Sequence, residues 1–498
     1  MSTFITASML YNLVQCPHRL NLDLHQDPSK RDPESKFVQL LWENGNAFER
    51  NVIECLNIPF VNLREFSDEE KERRTREEID KRTNIIYGGR IVSGNLLGEP
   101  DLLRWNGTGY TAGDIKSGSG EEGDDGEISK PKRHYAVQLA LYTHILEKLG
   151  VSAGREPFVW DVHGNEVTYY LDAQQGPRTP QTLWEFYTET LASADKIVSK
   201  PDTTLPAIAG NCKLCHWRSH CTEEIVRRDD LTLIPELGRA KRDDMSPHIT
   251  TVNDLARADL SKYVQGNKTL IRGIGQSTLK KFQIRARLLC DPVATPLLIA
   301  TPNLPDFDKE LFFDIEVDPM RDICYLHGFV ERLGRLAETE RYVPFLCQSP
   351  TTEEEEYAFS KAWQYVKSCQ PCAIYYYSKY ERTWWRKLQQ RYPSVVKPEE
   401  IEAMFDPASA IDLYYDVVRK STEWPTRDHS IKTLAKYLGF DWRDTSPSGA
   451  ESIEWYHRWV DTADPSIRQR ILDYNEDDCI ATRVLLDGIR NLAPTLSF

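Results

Sequence analysis

Two strand-like runs that close on alternating acids constrain this chain most. One is GYTAGDIK, ending at Asp114 and Lys116. The other is KELFFDIEVD, containing Asp314 and Glu316. Side chains alternate along a strand, so Asp114 and Lys116 share one face, and so do Asp314 and Glu316. Exactly 200 positions separate Asp114 from Asp314. A single domain usually spans about 100–200 residues, and 498 residues suggest two or three. The two runs are therefore expected in separate folded units.

Residues 1 to about 225 read as the first unit. Helical patterns flank a β-rich middle of NIIYGGRIVSG, LLGEPDLLRWNG and GYTAGDIKSGSG, expected as a meander. The polar, Gly-rich stretch GSGEEGDDGEISKPKR is expected as a mobile loop. HYAVQLALYTHILEKLG then reads as an amphipathic helix stopped at Gly150. Residues 226–295 are helical in pattern and serve as a linker. Within them IRGIGQSTLKKF is similar to a helix-hairpin-helix, in which a Gly-rich turn offers backbone N–H groups to phosphate, with Lys280, Lys281 and Arg285 following. The bland alternative is a linker whose glycines are caps. A third unit, 305–498, alternates strand and helix: KELFFDIEVDP, CYLHGFVERL, a helix, PCAIYYYS, and helices to the end. This predicts an α/β layered domain.

In the first unit an ordered set stands out. Asp101 closes G-E-P-D, Asp114 and Lys116 form D-x-K, and Gln138 and Tyr142 lie four apart on one helix face. Two carboxylates from adjacent strands can hold a divalent cation, and a nearby lysine can stabilise charge on a phosphate. Singly these are common surface features. As an ordered set they resemble the RecB-like branch of the PD-(D/E)XK nucleases, with a restriction-endonuclease-like fold. The family often has Glu where Asp114 stands. It also usually has an upstream helical acid, a place that Glu49 in ENGNAFERNVIE fills more loosely. The resemblance implies Asp101 and Asp114, with Glu49, as metal ligands, Lys116 as catalytic, and Gln138 and Tyr142 as positioning groups.

Four of the eleven cysteines form a pattern: Cys16 in QCPHRL, then Cys212, Cys215 and Cys221 in a C-x2-C-x5-C. Four thiolates suit an iron–sulfur cluster or zinc, and His216 and His220 are spare nitrogen ligands for zinc. The arrangement is similar to the iron–sulfur RecB-like nucleases of helicase-nuclease complexes and CRISPR-associated exonucleases. That resemblance implies a [4Fe–4S] cluster joining the two ends of the domain, with Zn²⁺ as the alternative. The other seven cysteines (55, 290, 324, 347, 369, 372 and 479) are expected as reduced, mostly buried thiols; the C-x-x-C of Cys369 and Cys372 is a weak signal.

In the last unit, Asp314-Ile315-Glu316 is followed far downstream by Tyr474 and Asp478, four apart on a helix in DYNEDDCIAT. This resembles the Tyr-bearing DEDD exonucleases of the RNase H-like fold. There the acids hold two metal ions and the tyrosine orients water. The middle acid is expected at Glu381 in YYYSKYERTWW, with Asp412 in AIDLYY as the rival. Glu where Asp is usual makes this half the one to lapse, if either has.

The whole order resembles a bacterial family of RecB-like nucleases with an appended RNase H-like 3'-5' exonuclease domain. It implies Mg²⁺- or Mn²⁺-dependent phosphodiester hydrolysis in DNA, with RNA open, in repair or foreign-DNA processing. Two rivals are a single-activity nuclease whose C-terminal domain only binds, and a non-catalytic DNA-binding scaffold. The net charge of -14 excludes a uniformly basic nucleic-acid binder but not a nuclease with local basic patches. No G-x-x-x-x-G-K-[ST] occurs, so any unwinding would need a separate helicase. No run of about 18 apolar residues and no basic-then-apolar leader is present, so a cytoplasmic, membrane-free protein is expected.

Overall fold

A computed structural model describes residues 3–123, 129–175, 180–201, 203–445 and 447–494. The chain divides into two compact units: residues 1–206 with 210–221, and residues 207–209 with 222–498. No helix among the described residues is long and apolar enough to cross a membrane.

The first unit is built on helix α1 (Lys36–Glu54), strands β1 (Val61–Asn62), β2 (Ile85–Tyr87), β3 (Leu102–Trp105) and β4 (Tyr110–Ile115), helix α2 (Arg133–Lys148), and strands β5 (Phe158–Trp160) and β6 (Glu166–Thr168). They form a six-stranded sheet in the order β6-β5-β4-β3-β2-β1. β2, β3 and β4 are antiparallel neighbours, and β5 runs parallel to β4 after the α2 crossover. Ser35 caps α1 by accepting from the Val38 amide at 3.2 Å. α2 is apolar on its inner face, and Ala136, Leu139, Ala140 and Ile145 are fully buried under the sheet. Gly150, at φ +74°, follows its end. Gly113 of β4 has no room for a side chain, since a Cβ would lie 2.3 Å from the Phe158 ring.

The expected single meander is split. Ile91–Ser93 and Leu96–Gly98 leave the main sheet and form a separate three-stranded sheet in which Leu96–Gly98 is central, paired with Ile5–Thr6 on one side and Ile91–Ser93 on the other. In the expected loop, Glu121–Glu122 pairs with Lys130–Pro131; residues 124–128 of that stretch lie outside the described residues.

The segment read as a linker carries an apolar core of its own, including Leu231, Ile249, Leu255, Ile274, Leu279 and Phe282. Its longest helix is α3 (Gln276–Cys290), entered through Gly273 at φ +69° and capped at Gly275. Arg285 of α3 does not face solvent. It is 0% exposed and bonds Glu423 at 2.6 Å and Glu236 at 2.9 Å. The expectation that Arg285 reaches phosphate is therefore corrected: a fully desolvated guanidinium held by two carboxylates is an internal staple.

The rest of the second unit comprises β7 (Lys309–Asp318), β8 (Ile323–Leu333), β9 (Arg341–Leu346), α4 (Thr352–Cys369), β10 (Ala373–Tyr376), α5 (Tyr380–Arg391), β11 (Ala410–Asp412), α6 (Gly449–Thr462) and α7 (Pro465–Arg490). The five-stranded sheet has the order β9-β8-β7-β10-β11. β7, β8 and β9 are antiparallel, whereas β7, β10 and β11 are parallel. Apolar clusters cover both faces, which explains why the central strands are apolar on both sides. Five of the seven scattered cysteines are buried; Cys55 and Cys290 are exposed, and all are free thiols.

Candidate functional site

Asp101 sits just before β3, not at the end of the preceding run. Because Leu102 faces Gly113 in the antiparallel ladder, Asp101 falls opposite Asp114. The Ile115 amide donates to Asp101 Oδ2 at 2.8 Å, and Lys116 Nζ lies 2.8 Å from Asp114 Oδ2. Glu49 reaches the same place from α1. It is 8% exposed, pairs with Arg64 and accepts from Tyr87 Oη at 3.0 Å. Arg64 is also 3.8 Å from Asp101. Beside them a cavity of about 400 Å³ is lined by Glu43, Asn46, Glu49, Arg50, Arg64 and Tyr87.

Burial, then the charge of Asp114, pushes the Asp101 carboxyl up to about 7. Burial alone would lower the Lys116 ammonium, but Asp114 and Asp101 outweigh it and hold its pKa above the usual lysine value. Gln138 Oε1 is buried with no hydrogen-bond partner among the described residues. Tyr142 is buried, and its hydroxyl donates to the Glu99 carbonyl at 3.4 Å, bracing the loop that leads to Asp101.

Cys16, Cys212, Cys215 and Cys221 are all half-buried. Burial raises the Cys215 thiol. The segments that carry the four are tied by polar bonds. Asn211 donates to the Gln15 carbonyl at 2.7 Å, and the Asp32 amide donates to the His216 carbonyl at 2.7 Å. His216 is engaged with Asp23 at 2.8 Å, and His220 lies 3.3 Å from the Gln26 amide group.

In the second unit, Asp314 and Glu316 project from β7 and Asp478 from α7. One carboxylate oxygen from each lies within 4.8 Å of the others. Burial pushes all three up. For Asp314 the charges of Asp478, Glu316 and Glu381 add to it; Glu316 reaches about 8, with Asp478 the next cause. Three desolvated carboxylates that repel one another are the imbalance a divalent cation with oxygen ligands would relieve.

Several neighbours fix this triad. Asn475 donates to Asp314 Oδ2 at 2.7 Å and is itself held by Tyr342 Oη at 2.8 Å. Trp442 Nε1 donates to Asp478 Oδ1 at 2.7 Å. Tyr325 donates to Glu316 at 3.4 Å. Lys432 Nζ donates to Tyr474 Oη at 2.6 Å and stands 4.0 Å from Asp478 Oδ2. Burial holds the Tyr474 phenol well above its ordinary value. A neutral phenol that accepts from lysine keeps its own hydrogen to donate.

Glu381 lies in the first turn of α5 beside the triad. It is 3% exposed, and its Oε2 has no hydrogen-bond partner among the described residues. Burial raises it strongly, with Asp412 and Asp478 among the contributing charges. Asp412 is otherwise engaged: its Oδ1 accepts from the amides of Ser378, Tyr414 and Tyr415 at 3.0–3.1 Å. Sequence reasoning missed Lys432, Trp442, Tyr325 and Asn475. Only Asn475 carried a signal, through its place next to Tyr474.

Residues 311–489 match the RNase H superfamily family model. The matched span begins in β7 and ends in α7, the two elements that carry the triad. No curated protein matches the chain. The C-terminal region is thus an RNase H-like domain with an acidic triad, from a superfamily that is generally one of hydrolytic nucleases using Mg²⁺ or Mn²⁺ on nucleic acid.

Proposed function

We propose that the chain is a metal-dependent nuclease that hydrolyses phosphodiester bonds of DNA, with RNA open, through two sites. The observation that carries this reading is the Asp314–Glu316–Asp478 triad inside the RNase H-like span. These three residues would hold Mg²⁺ or Mn²⁺, with Glu381 as the fourth acid. Asp412 is a weaker rival because three backbone amides already occupy it. When bound, the cation would supply Lewis-acid activation of water and neutralise charge on the phosphate. Tyr474, whose hydroxyl faces Asp478, would orient the attacking water, and Lys432 places a positive charge next to it.

For the first unit the reading is a RecB-like PD-(D/E)XK nuclease. The order helix, three antiparallel strands, helix, parallel strand supports it, as does the cross-strand placement of Asp101 against Asp114. Asp101 and Asp114 would hold a cation, with Glu49 nearby on Arg64. Lys116 would act as a fixed charge on the phosphate, and Gln138 would position the strand or the lysine. For Cys16, Cys212, Cys215 and Cys221 the reading is a [4Fe–4S] cluster. The engagement of His216 and His220 with other side chains supports four thiolate ligands over a mixed zinc site.

Mn²⁺ binding followed by electron paramagnetic resonance tests the carrying observation. Asp314→Asn with Asp478→Asn should remove one bound ion or weaken it at least tenfold. Unchanged binding would count against the triad as a metal centre.

A further inference from the structure

A second cavity, of about 410 Å³, lies in the second unit and is lined by Lys281, Lys379, Tyr415, Asp416, Arg419 and Lys420. Four cations and one carboxylate line it, in a chain whose net charge is -14. Lys281 comes from α3, Lys379 precedes α5, and the other four belong to the turn that follows β11. Positive groups lie near the Tyr415 ring, with Lys379 Nζ at 4.8 Å and Arg419 Cζ at 5.4 Å from its centre. An aromatic face flanked by cations is how proteins hold single-stranded nucleic acid without reading its sequence.

The cavity shares a turn with Glu381, the candidate middle acid. Asp412 Oδ1 accepts from the Ser378 and Tyr415 amides, which locks the Lys379 turn to the Tyr415 turn. Ser378 is held there at φ +113°, a backbone conformation that L side chains rarely adopt and that persists only where its surroundings fix it. Two residues after Lys379, the same turn presents Glu381. One strained turn therefore sets both the basic cavity and the middle acid.

Arg419 and Lys281 are partly engaged internally, with Glu236 at 2.7 Å and with the Arg419 carbonyl at 3.1 Å. Lys420 pairs with Asp416 at 2.8 Å, but its side chain is 66% exposed, so that pair is open to exchange with a phosphate.

We propose that this cavity is a backbone-binding subsite for a single polynucleotide strand. Lys379 and Lys420 contact phosphates, and Tyr415 offers a stacking face. The subsite rests on the nuclease reading of the neighbouring triad and adds to it a preference for a strand over a free nucleotide.

The test uses the full chain in EDTA, where binding occurs without cleavage. Fluorescein-labelled dT20 is titrated by anisotropy between about 50 and 200 mM salt, with dTMP and inorganic phosphate as competitors. Lys379→Glu with Lys420→Glu should weaken dT20 binding at least tenfold. Each lost phosphate contact should also flatten the log K against log salt slope by about 0.7. Tyr415→Ala should weaken binding and leave that slope unchanged. Should the double variant fail to fold, as its melting curve would reveal, Lys420→Gln alone should flatten the slope by about 0.7. Equal affinity and slope in wild type and folded variants would overturn the proposal, as would dTMP or phosphate competing as well as dT20. A wild type that binds dT20 through these lysines yet hydrolyses nothing with Mn²⁺ would uphold the subsite and remove the nuclease reading.

Discussion

Gly328→Ala should disable the C-terminal site from behind. Gly328 lies opposite Asp314 in the antiparallel ladder. A Cβ there would stand 1.6 Å from Asn475 Oδ1, and Tyr342 Cε2 at 3.1 Å closes the other side. Asn475 is fully buried, so it must move by roughly 1.5–2 Å to reach an ordinary contact distance of about 3.5 Å. Overpacking of this kind costs about 1–3 kcal/mol. Moving Asn475 also breaks its bond to the Asp314 carboxylate, worth about 1.5–3 kcal/mol. Together they predict a loss of about 2.5–6 kcal/mol. At about 2–4 °C per kcal/mol, melting of the second unit should fall by roughly 5–24 °C. Scanning calorimetry reads the shift, and Mn²⁺-dependent hydrolysis of a labelled oligonucleotide below the transition reads the effect on Asp314. Gly449→Ala is the control, because a Cβ there meets nothing within 4 Å. A Gly328→Ala protein that melts within about 2 °C of wild type and hydrolyses normally would refute the reasoning.

Three further outcomes follow from the same geometry. Arg285→Ala leaves the buried Glu423 carboxylate without its nearest cation and should destabilise the second unit by about 3–5 kcal/mol, while oligonucleotide affinity in the still-folded protein stays unchanged; chemical denaturation and anisotropy measure the two effects. Burial pushes the His327 imidazole down to about 3 from an unfolded value of 6.5. Above pH 6.5 neither state is charged, but below it only the unfolded chain gains the proton. Stability should therefore fall by about 1.4 kcal/mol per pH unit, or about 2 kcal/mol by pH 5, until the folded value is reached. A folded His327→Gln protein should lose that part of the slope, and an unchanged slope would contradict the assignment. Finally, protein purified anaerobically should be brown, with broad absorbance near roughly 400 nm from thiolate-to-iron charge transfer. Cys212→Ser should bleach it, whereas a colourless protein with stoichiometric zinc would reverse the cluster reading.

What the sequence made legible was whatever local periodicity encodes. FFDIEVD and CYLHGFVERL form long central strands because apolar runs suit a sheet covered on both faces. The four-residue spacing of Tyr474 and Asp478 put them one turn apart on α7. RYVPFL is not among the strands read from the sequence, and Pro344 interrupts it. It survives as β9 because it lies on a sheet edge, where a missing N–H costs little. The short β11 has only three residues to show. The first meander misled because sheet membership depends on partners far away: Ile5 recruits Leu96. Arg285 looked like a phosphate ligand because charge on a helix next to lysines reads as surface. Only the fold reveals Glu423 and Glu236 around it. Lys432 and Trp442 were invisible for the same reason: they approach Asp478 across the tertiary structure with no spacing that relates them to it.

The most direct test of the two-site account is hydrolysis of labelled single- and double-stranded DNA and RNA with Mg²⁺ or Mn²⁺ by wild type, Lys116→Ala, Asp314→Ala and the double variant. The account predicts metal-dependent cleavage by wild type, partial loss in each single variant with a different product pattern, and no cleavage in the double variant. Full activity in a folded double variant would contradict it.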